Sequence, residues 1–279
     1  MLKIVILAEN RDGKQCAGEF GLSVVVENND NKFLFDVGVS NLFVQNADKL
    51  GVDIDNIDTI VISHGHLDHV GGLPYLSEKK RIIAHPDIFG KYFSLKDQKF
   101  KSCPLTQSEV EEKHNLILAK EPCEIFENVY FIGEIPRVVP FEGEGNIVGT
   151  LDSEGKIPDA RKDDTGVAIK TPHGLFVMTG CGHSGICNII EQAKKITGEE
   201  KIYAVFGGFH FYLPQIDKHD MMDLNDVIEG TIAYFKDNGI KHAYLGHCIY
   251  DEVIDRFERE LKGIATIHRL HSGASFDII

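Results

Sequence analysis

Apolar runs recur along the first part of the chain at lengths that are typical of β-strands. Residues 2–8 are almost wholly apolar and predict a first strand. Two further runs, 22–27 and 32–36, flank Asn28-Asn29-Asp30-Asn31, and this turn-forming spacer predicts a hairpin. Residues 57–62 are again rich in β-branched side chains, which favours a buried strand. The pattern therefore predicts a sheet in this part of the chain.

Longer segments later in the chain predict helices between further strands. Gly51 and Gly239 follow two of the helical segments, at the position where a left-handed residue commonly ends a helix. The predicted helices are 41–50, 186–196, 223–238 and 252–261. The further predicted strands are 81–86, 129–137, 201–206, 242–245 and one or two within 266–279, besides a hairpin of 166–171 with 174–179.

The order of these elements predicts a fold of the α/β or α+β class. No repeat, low-complexity tract or linker marks a boundary, so we expect a single domain over 1–279. Two halves, roughly 1–140 and 141–279, are each expected to contribute a sheet with helices outside it. The charged, irregular residues 87–127 are interpreted as an insertion or lid, and 141–165 as a long loop.

Composition and charge narrow the range of partners. The net charge of −14 argues against nonspecific binding to nucleic acid or to an anionic membrane. Six cysteines without a Cys-x-x-Cys pair are expected to be reduced thiols. The N-terminus lacks a signal-peptide pattern, and no apolar run has the length of a membrane span. We therefore expect a cytoplasmic protein.

Metal-binding side chains are concentrated directly after the predicted strand 57–62. His64, His66, Asp68 and His69 fall within six positions, among the glycines Gly65, Gly71 and Gly72. Neutral imidazole and carboxylate are ligands for zinc, iron(II) and manganese. A turn would let His64 and His66 serve one metal ion while Asp68 and His69 serve a second, and the glycines are expected to supply the backbone freedom for it.

Three later histidines repeat this context. His183, His210 and His247 each follow the end of a predicted strand and stand among glycines. Metal and substrate sites of α/β proteins gather at such edges, so His183 and His247 are predicted ligands and His210 a further site residue. His85 is expected to be structural. The remaining histidines lack this context and are expected to serve surface or packing roles: His114, His173, His219, His242, His268 and His271.

Two charged residues have both a functional and a structural interpretation. Asp36 ends a predicted strand, where a carboxylate often fixes the orientation of a metal-bound imidazole; it could equally be a turn residue. Arg137 suits a substrate phosphate or carboxylate, which guanidinium binds through two bonds, or a surface salt bridge.

The motif His64-x-His66-x-Asp68-His69 after an apolar strand resembles the metallo-β-lactamase fold superfamily. Further motifs resemble the branch often labelled 7,8-dihydropterin-6-yl-methyl-4-(β-D-ribofuranosyl)aminobenzene 5′-phosphate synthase, a group similar to metal-dependent hydrolases. These motifs are Phe33-Leu34-Phe35-Asp36-Val37-Gly38, Gly133-Glu134-Ile135-Pro136-Arg137, Asp163-Asp164, Gly180-Cys181-Gly182-His183-Ser184-Gly185-Ile186, Gly207-Gly208-Phe209-His210 and His247-Cys248. The resemblance implies a four-layer αββα sandwich with its site between two sheets.

The chain departs from the pattern of this fold at three points. No Gly-His-Thr-type loop between 140 and 170 offers a third histidine to the first metal. Gly180-Cys181 stands where a Gly-Asp pair usually supplies a bridging carboxylate. Three interpretations stay open: Cys181 takes the bridging place, His183 fills the ligand gap, or Cys181 is only a small packed residue. Phe20 replaces a histidine that this branch commonly shows before Gly-Leu-Ser, which removes a polar group from the expected substrate side.

The resemblance favours a metal-dependent hydrolase that activates water on a small substrate, phosphorylated or not. Two zinc ions are the expected cofactors, with iron or manganese as alternatives, and Asp68 and His210 are the expected catalytic residues. Pterin-related group transfer is the first alternative. Redox chemistry at iron and a non-catalytic metal- or ligand-binding module are the others.

Overall fold

The computed structural model describes residues 1–77, 79–94, 99–142, 150–151, 161–211 and 218–279, which form two compact units. The described residues of the first unit are 1–77, 79–94, 99–120, 150–151 and 270–279. Those of the second unit are 121–142, 161–211 and 218–269. The units differ from the predicted halves at both ends, because the chain's last strand pairs with its first, and residues from Glu121 onward belong to the second unit. That they make one domain stays a prediction.

The first unit contains a mixed seven-stranded sheet in the order β17-β1-β2-β3-β4-β5-β8. Its strands are β1 (Leu2–Ala8), β2 (Ser23–Asn28), β3 (Asn31–Phe35), β4 (Thr59–Val61), β5 (Arg81–Ala84), β8 (Asn115–Leu118) and β17 (Ser275–Asp277). The predicted hairpin is present, with its loop tightened to Asn29-Asp30. Strands β3, β4, β5 and β8 run parallel, so their carboxyl ends lie at one edge of the sheet.

Helices and a small sheet complete the first unit. Helix α1 (Leu42–Leu50) ends, as predicted, at a left-handed Gly51, and buries Phe43 and Ala47 in the core beside β1. Helix α2 (Leu67–Val70) is a single turn, and α3 (Gln107–Lys113) begins at a capping box in which Thr106 and Glu109 bond to each other's backbone N–H. The small sheet has the order β11-β6-β7, with β6 (Phe93–Ser94), β7 (Lys99–Phe100) and β11 (Thr150–Leu151).

The second unit contains a seven-stranded sheet in the order β16-β15-β14-β13-β12-β10-β9. Its strands are β9 (Cys123–Phe126), β10 (Val129–Phe131), β12 (Gly166–Thr171), β13 (Gly174–Thr179), β14 (Ile202–Gly207), β15 (His242–Leu245) and β16 (Thr266–Arg269). Its helices are α4 (Ile186–Thr197), α5 (Lys218–Asp237) and α6 (Asp251–Glu260). Strands β13 to β16 are parallel, and their apolar residues pack with those of the helices in one core.

Two predicted segments differ from the structure. Residues 87–127 are not a separate insertion throughout, since β8 and β9 belong to the large sheets; both are four-residue strands within a stretch rich in charged side chains. The stretch 266–279 contains β16 and β17, in agreement with the one or two strands predicted there, and the two lie in different sheets. The predicted strand 129–137 stops at Phe131. Most of the predicted loop 141–165 lies outside the described residues.

No helix in the described ranges is both long enough and apolar enough to cross a membrane.

Candidate metal centre

The sheet of the first unit brings predicted site residues together at one edge. Strands β3 and β4 are parallel neighbours, so Asp36 and Ser63-His64 emerge together where these strands end. The Asp36 N–H donates to the Val61 carbonyl at 2.9 Å, which continues the pairing one residue beyond the strands. The position of the predicted cluster therefore follows from the parallel register.

The glycines of the motif allow close backbone approach. A Cβ at Gly65 would overlap the carbonyl oxygen of Ile88, and one at Gly72 would overlap that of Val37. Gly71 (φ −60°) and Gly72 (φ −77°) have ordinary helical backbone angles. The predicted reason for these glycines, freedom for a turn, is therefore wrong; two backbone segments need the space that a side chain would fill.

A methyl group at Gly65 provides a direct test of this packing. We expect Gly65→Ala to lower the free energy of unfolding by about 1–3 kcal/mol, the usual cost of adding a group to a well-packed site. The added methyl group would overlap a backbone carbonyl, which cannot move aside as the end of a flexible side chain can. Metal retention should fall as well, since His64 and His66 flank the residue. Urea unfolding and elemental analysis measure the two effects.

Gly198→Ala is the matched control. Gly198 has a φ of +68° and open space around its Cα, so alanine there costs about 1–2 kcal/mol of backbone strain with no overlap. Equal metal content in both variants would contradict the role of Gly65 in holding the cluster.

Imidazoles and a carboxylate converge in the first unit. The Nε2 atom of His64 lies 3.2 Å from Nδ1 of His66, and the ring centroids of His64 and His69 are 4.1 Å apart. The Nε2 atom of His69 lies 3.5 Å from the carboxylate of Asp68. His64 and His69 are fully buried. Such a buried set of nitrogen and oxygen donors fits a divalent transition-metal ion.

Asp36 supports this cluster from behind. Its Oδ2 atom lies 2.7 Å from Nδ1 of His69, and its carboxylate accepts both the N–H and the hydroxyl of Ser63 at 2.7 Å each. The Ser63 hydroxyl in turn lies 2.9 Å from Nδ1 of His64. Carboxylates that bond the far nitrogen of a metal-bound histidine fix its tautomer and orientation. This geometry agrees with the functional interpretation of Asp36.

The charges around His69 alter its protonation. Burial of the ring opposes the charged form, but the carboxylates of Asp36 and Asp68 outweigh it and raise the pKa of His69 to about 10. Because an imidazole must be neutral at the nitrogen that binds a metal ion, metal binding by His69 would release this proton.

The second unit gathers a second set of donors at the ends of its parallel strands. The donor atoms of Cys181, His183 and His210 all lie within 4.8 Å of one another, and the rings of His183 and His210 are 4.2 Å apart. His247 follows the end of β15 and is 2% exposed. His210 and His247 both adopt φ of +53°, as Asp36 does at +56°. Left-handed backbone at such residues is costly and is concentrated at functional sites.

Buried polar groups hold the loop that carries His183. The Ser184 N–H donates to Asp164 at 2.7 Å, and the guanidinium of Arg137 donates to the His183 carbonyl at 3.1 Å. Glu142 accepts the N–H groups of Cys187 and Asn188 at 2.8 Å each, at the start of α4. Three charged side chains from outside the loop therefore fix its backbone.

Glu142 offers a test of this support. Glutamine would turn one of the two accepting oxygens into a donor that faces a backbone N–H. Because the group is only 4% exposed, we expect Glu142→Gln to lower the free energy of unfolding by about 1–3 kcal/mol. Urea unfolding beside the exposed control Glu200→Gln measures this, and equal stability of the two variants would contradict it.

Arg137 has a structural contact that the sequence did not indicate. Its guanidinium donates to the His183 carbonyl, and burial lowers the pKa of the guanidinium although the carboxylates of Asp164 and Glu142 oppose this shift. Arg137 is part of the support of the His183 loop, and any contact with substrate stays a prediction.

Cys248 is a site residue that the sequence interpretation missed. Its thiol donates to the Cys181 carbonyl at 3.3 Å. Burial raises the pKa of Cys248, but contacts with Cys181 and His210, together with the charge of His247, bring it well below the usual value. The available signal was its place directly after His247. The unit thus holds two buried sulfur atoms beside its imidazoles.

The other histidines fall outside both sets. His85 is buried and accepts the Asp87 N–H at 3.1 Å, which is the structural role predicted for it. His114 is 7% exposed and His173 is exposed. The side chain of His219 lies outside the described residues. Within the first unit the structure brings together His64, His66, Asp68 and His69; within the second it brings together Cys181, His183 and His210.

Comparison with known proteins places the chain in a family. The sequence model of the metallo-beta-lactamase superfamily matches residues 17–193. A synthase of Methanocaldococcus jannaschii, 7,8-dihydropterin-6-methyl-4-(beta-D-ribofuranosyl)-aminobenzene-5′-phosphate synthase, is 31% identical over 98% of this chain and 95% of its own length. The chain belongs to the metallo-beta-lactamase superfamily. Both the predicted resemblance and the predicted fold class, the metallo-β-lactamase fold, are confirmed.

Solved structures agree with this membership. The structure of Tm1679, described as a metal-dependent hydrolase of the beta-lactamase superfamily, is 29% identical and has a TM-score of 0.83, with 99% of each chain covered. A diphosphatase of the PhnP family, 15% identical with a TM-score of 0.53 over 99% of this chain and 98% of its own, shares the fold. The superfamily includes metal-dependent hydrolases, and the relatives similar to this chain include both a hydrolase and a synthase.

Proposed function

We propose that this superfamily member is a metal-dependent hydrolase that activates water on a small substrate. The observation that carries the proposal is the cluster of His64, His66, Asp68 and His69, in which His64 and His69 are fully buried, with Asp36 bonded to the ring of His69. Several imidazoles and a carboxylate gathered in this way form the donor set that divalent transition-metal ions prefer. The similarity to Tm1679 supports the same reaction class.

The proposed metal ligands are those that the sequence predicts. They are His64, His66, Asp68, His69, His183 and His247, with Cys181 as a further donor. When bound, divalent ions lower the pKa of a water molecule and polarise a carbonyl or phosphoryl oxygen. Zinc suits this mixture of imidazole, carboxylate and thiol donors, whereas iron and manganese suit its nitrogen and oxygen atoms.

The remaining roles belong to the side chains themselves. Asp68 is partly open to solvent, with 15% of its side chain exposed, so its carboxylate is suited to accept a proton from the nucleophile and orient it. His210, partly exposed and held at a strained backbone angle, is suited to donate a hydrogen bond to a developing anion. Asp36 keeps the ring of His69 in one orientation while these steps proceed.

A second candidate function is group transfer on a pterin-related substrate. It is supported by the 31% identity with the Methanocaldococcus jannaschii synthase over nearly the whole chain. In this alternative the same cluster orients the substrate, and a group other than water attacks. The replacement of an expected histidine by Phe20, which is 50% exposed, favours a substrate different from that of the branch.

A substrate screen with metal-loaded protein tests the proposal against this alternative. We expect hydrolysis of at least one class among phosphomonoesters, phosphodiesters, lactones and thioesters, with loss of activity in Asp68→Asn. Pterin compounds that bind and react while none of these substrates is hydrolysed would overturn the hydrolase and favour group transfer.

A further inference from the structure

A row of aromatic and imidazole rings crosses the sheet of the second unit, apart from the Cys181, His183 and His210 set. His242 begins β15, whereas His247 follows the other end of the same strand. Tyr203 lies on β14 beside it, and His268 lies on β16. His242 and Tyr203 therefore lie near the starts of their strands, opposite the loops that carry His183, His210 and His247, whereas His268 lies one residue before the end of β16.

Two imidazoles of this row meet across neighbouring strands. Tyr244 pairs with His268 in the parallel register, so His242, two residues earlier on the same face of β15, is the diagonal neighbour of His268. The Nδ1 atom of His242 lies 3.2 Å from Nε2 of His268. The same separation joins the ring nitrogens of His64 and His66 in the candidate metal centre.

We propose that His242 and His268 form a separate binding site for a divalent transition-metal ion. Two nitrogens 3.2 Å apart, each about 2.0–2.1 Å from one ion, subtend an angle of roughly 100° at that ion. This angle fits two adjacent positions of square-planar copper(II) or nickel(II), and two corners of tetrahedral zinc. Water would fill the remaining positions.

The surroundings favour neutral, oriented rings. Burial lowers the pKa of His242, and burial together with the neighbouring His242 lowers that of His268. Neutral imidazole is the form that binds metal. The ring of Tyr244 stacks on His268 at 4.3 Å with an interplanar angle of 9°, and Tyr203 lies 5.1 Å from His242. These contacts restrict ring orientations before an ion arrives.

The site would tie an edge strand to the sheet. Among the residues that the structure describes, β16 is the last strand of the sheet and pairs only with β15. An ion held by one histidine from each strand adds a cross-link at that edge, and both imidazoles are partly exposed, which leaves them open to solution. The proposal does not depend on the hydrolase function.

Copper(II) is the most suitable probe for this site, because imidazole sites bind it most tightly among divalent first-row ions. In addition, each nitrogen ligand splits the electron paramagnetic resonance signal of copper(II), so the number of bound imidazoles can be counted. We expect zinc-loaded protein to bind one copper(II) ion at this site with the pattern of two imidazole nitrogens. His242→Asn and His268→Asn should each weaken this binding at least tenfold and abolish the two-nitrogen pattern.

The controls separate this site from adventitious binding and from misfolding. His173→Asn alters an exposed imidazole 5.2 Å from the Tyr203 ring and should leave the signal unchanged. His268→Phe keeps a ring against Tyr244, so it should fold normally and still lose copper. A two-nitrogen signal that survives in His242→Asn and His268→Phe, or one that appears only as zinc is displaced from the protein, would overturn the proposal.

Discussion

Replacing His66 with alanine is expected to remove bound metal and turnover together. The His66 ring lies against His64 in the buried cluster, and its loss leaves a gap in the donor set that a small neighbouring group cannot fill. Removing a residue that only supports a ligand costs about 10–100-fold in metal affinity or activity. Because His66 is itself a proposed ligand, we expect turnover to fall by about 100-fold or more. Elemental analysis and a hydrolysis assay on the same preparation measure both quantities.

The control for this variant is His173→Ala, which removes an exposed imidazole from the turn between β12 and β13. It should retain both metal and activity. Full metal content with lost turnover in His66→Ala would assign His66 a role in catalysis without ligation. Full metal content with full turnover would remove His66 from the site.

Replacing Asp36 with asparagine is expected to weaken metal binding or turnover by about 10–100-fold while the ligands themselves stay intact. The carboxylate accepts from the Ser63 backbone, the Ser63 hydroxyl and the ring of His69, and asparagine keeps only one of its two accepting oxygens. His69 would then lose the group that fixes its ring. Metal affinity measured by competition with a chelating dye gives the size of the effect.

Two companion variants show whether orientation is the cause. Ser63→Ala removes the link to His64 but leaves the bond between Asp36 and His69, so its effect should be smaller. Asp53→Asn, at an exposed turn of the same unit, should have no effect. An Asp36→Asn protein with unchanged metal affinity and turnover would show that Asp36 is only a turn residue, the alternative interpretation of the sequence.

Local patterns predicted the parts of the fold that local residues determine. The hairpin of β12 with β13 has the predicted bounds, and helix α1 ends at the predicted glycine. Strands β8 and β9 escaped prediction, because each has only four residues and lies within a stretch rich in charged side chains.

In the candidate centre, too, the sequence predicted what local residues determine and missed what depends on residues far apart along the chain. The histidines that follow strand ends were found because parallel strands bring their carboxyl ends to one edge. Glu142 was missed because its partners Cys187 and Asn188 lie 45 and 46 residues away along the chain. Asp164 was quoted only as part of a motif, and its bond to Ser184 spans 20 residues. The need for glycine at position 65 comes from Ile88, a contact that spacing alone does not predict.

The central claim is that His64, His66, Asp68 and His69 bind metal in the folded protein. Elemental analysis of protein purified without added metal, beside His66→Ala prepared in the same way, tests it most directly. We expect about two zinc, iron or manganese ions per chain in the wild-type protein and a marked loss in the variant. A wild-type protein that holds no metal even after reconstitution, or a variant that holds as much as the wild type, would contradict it.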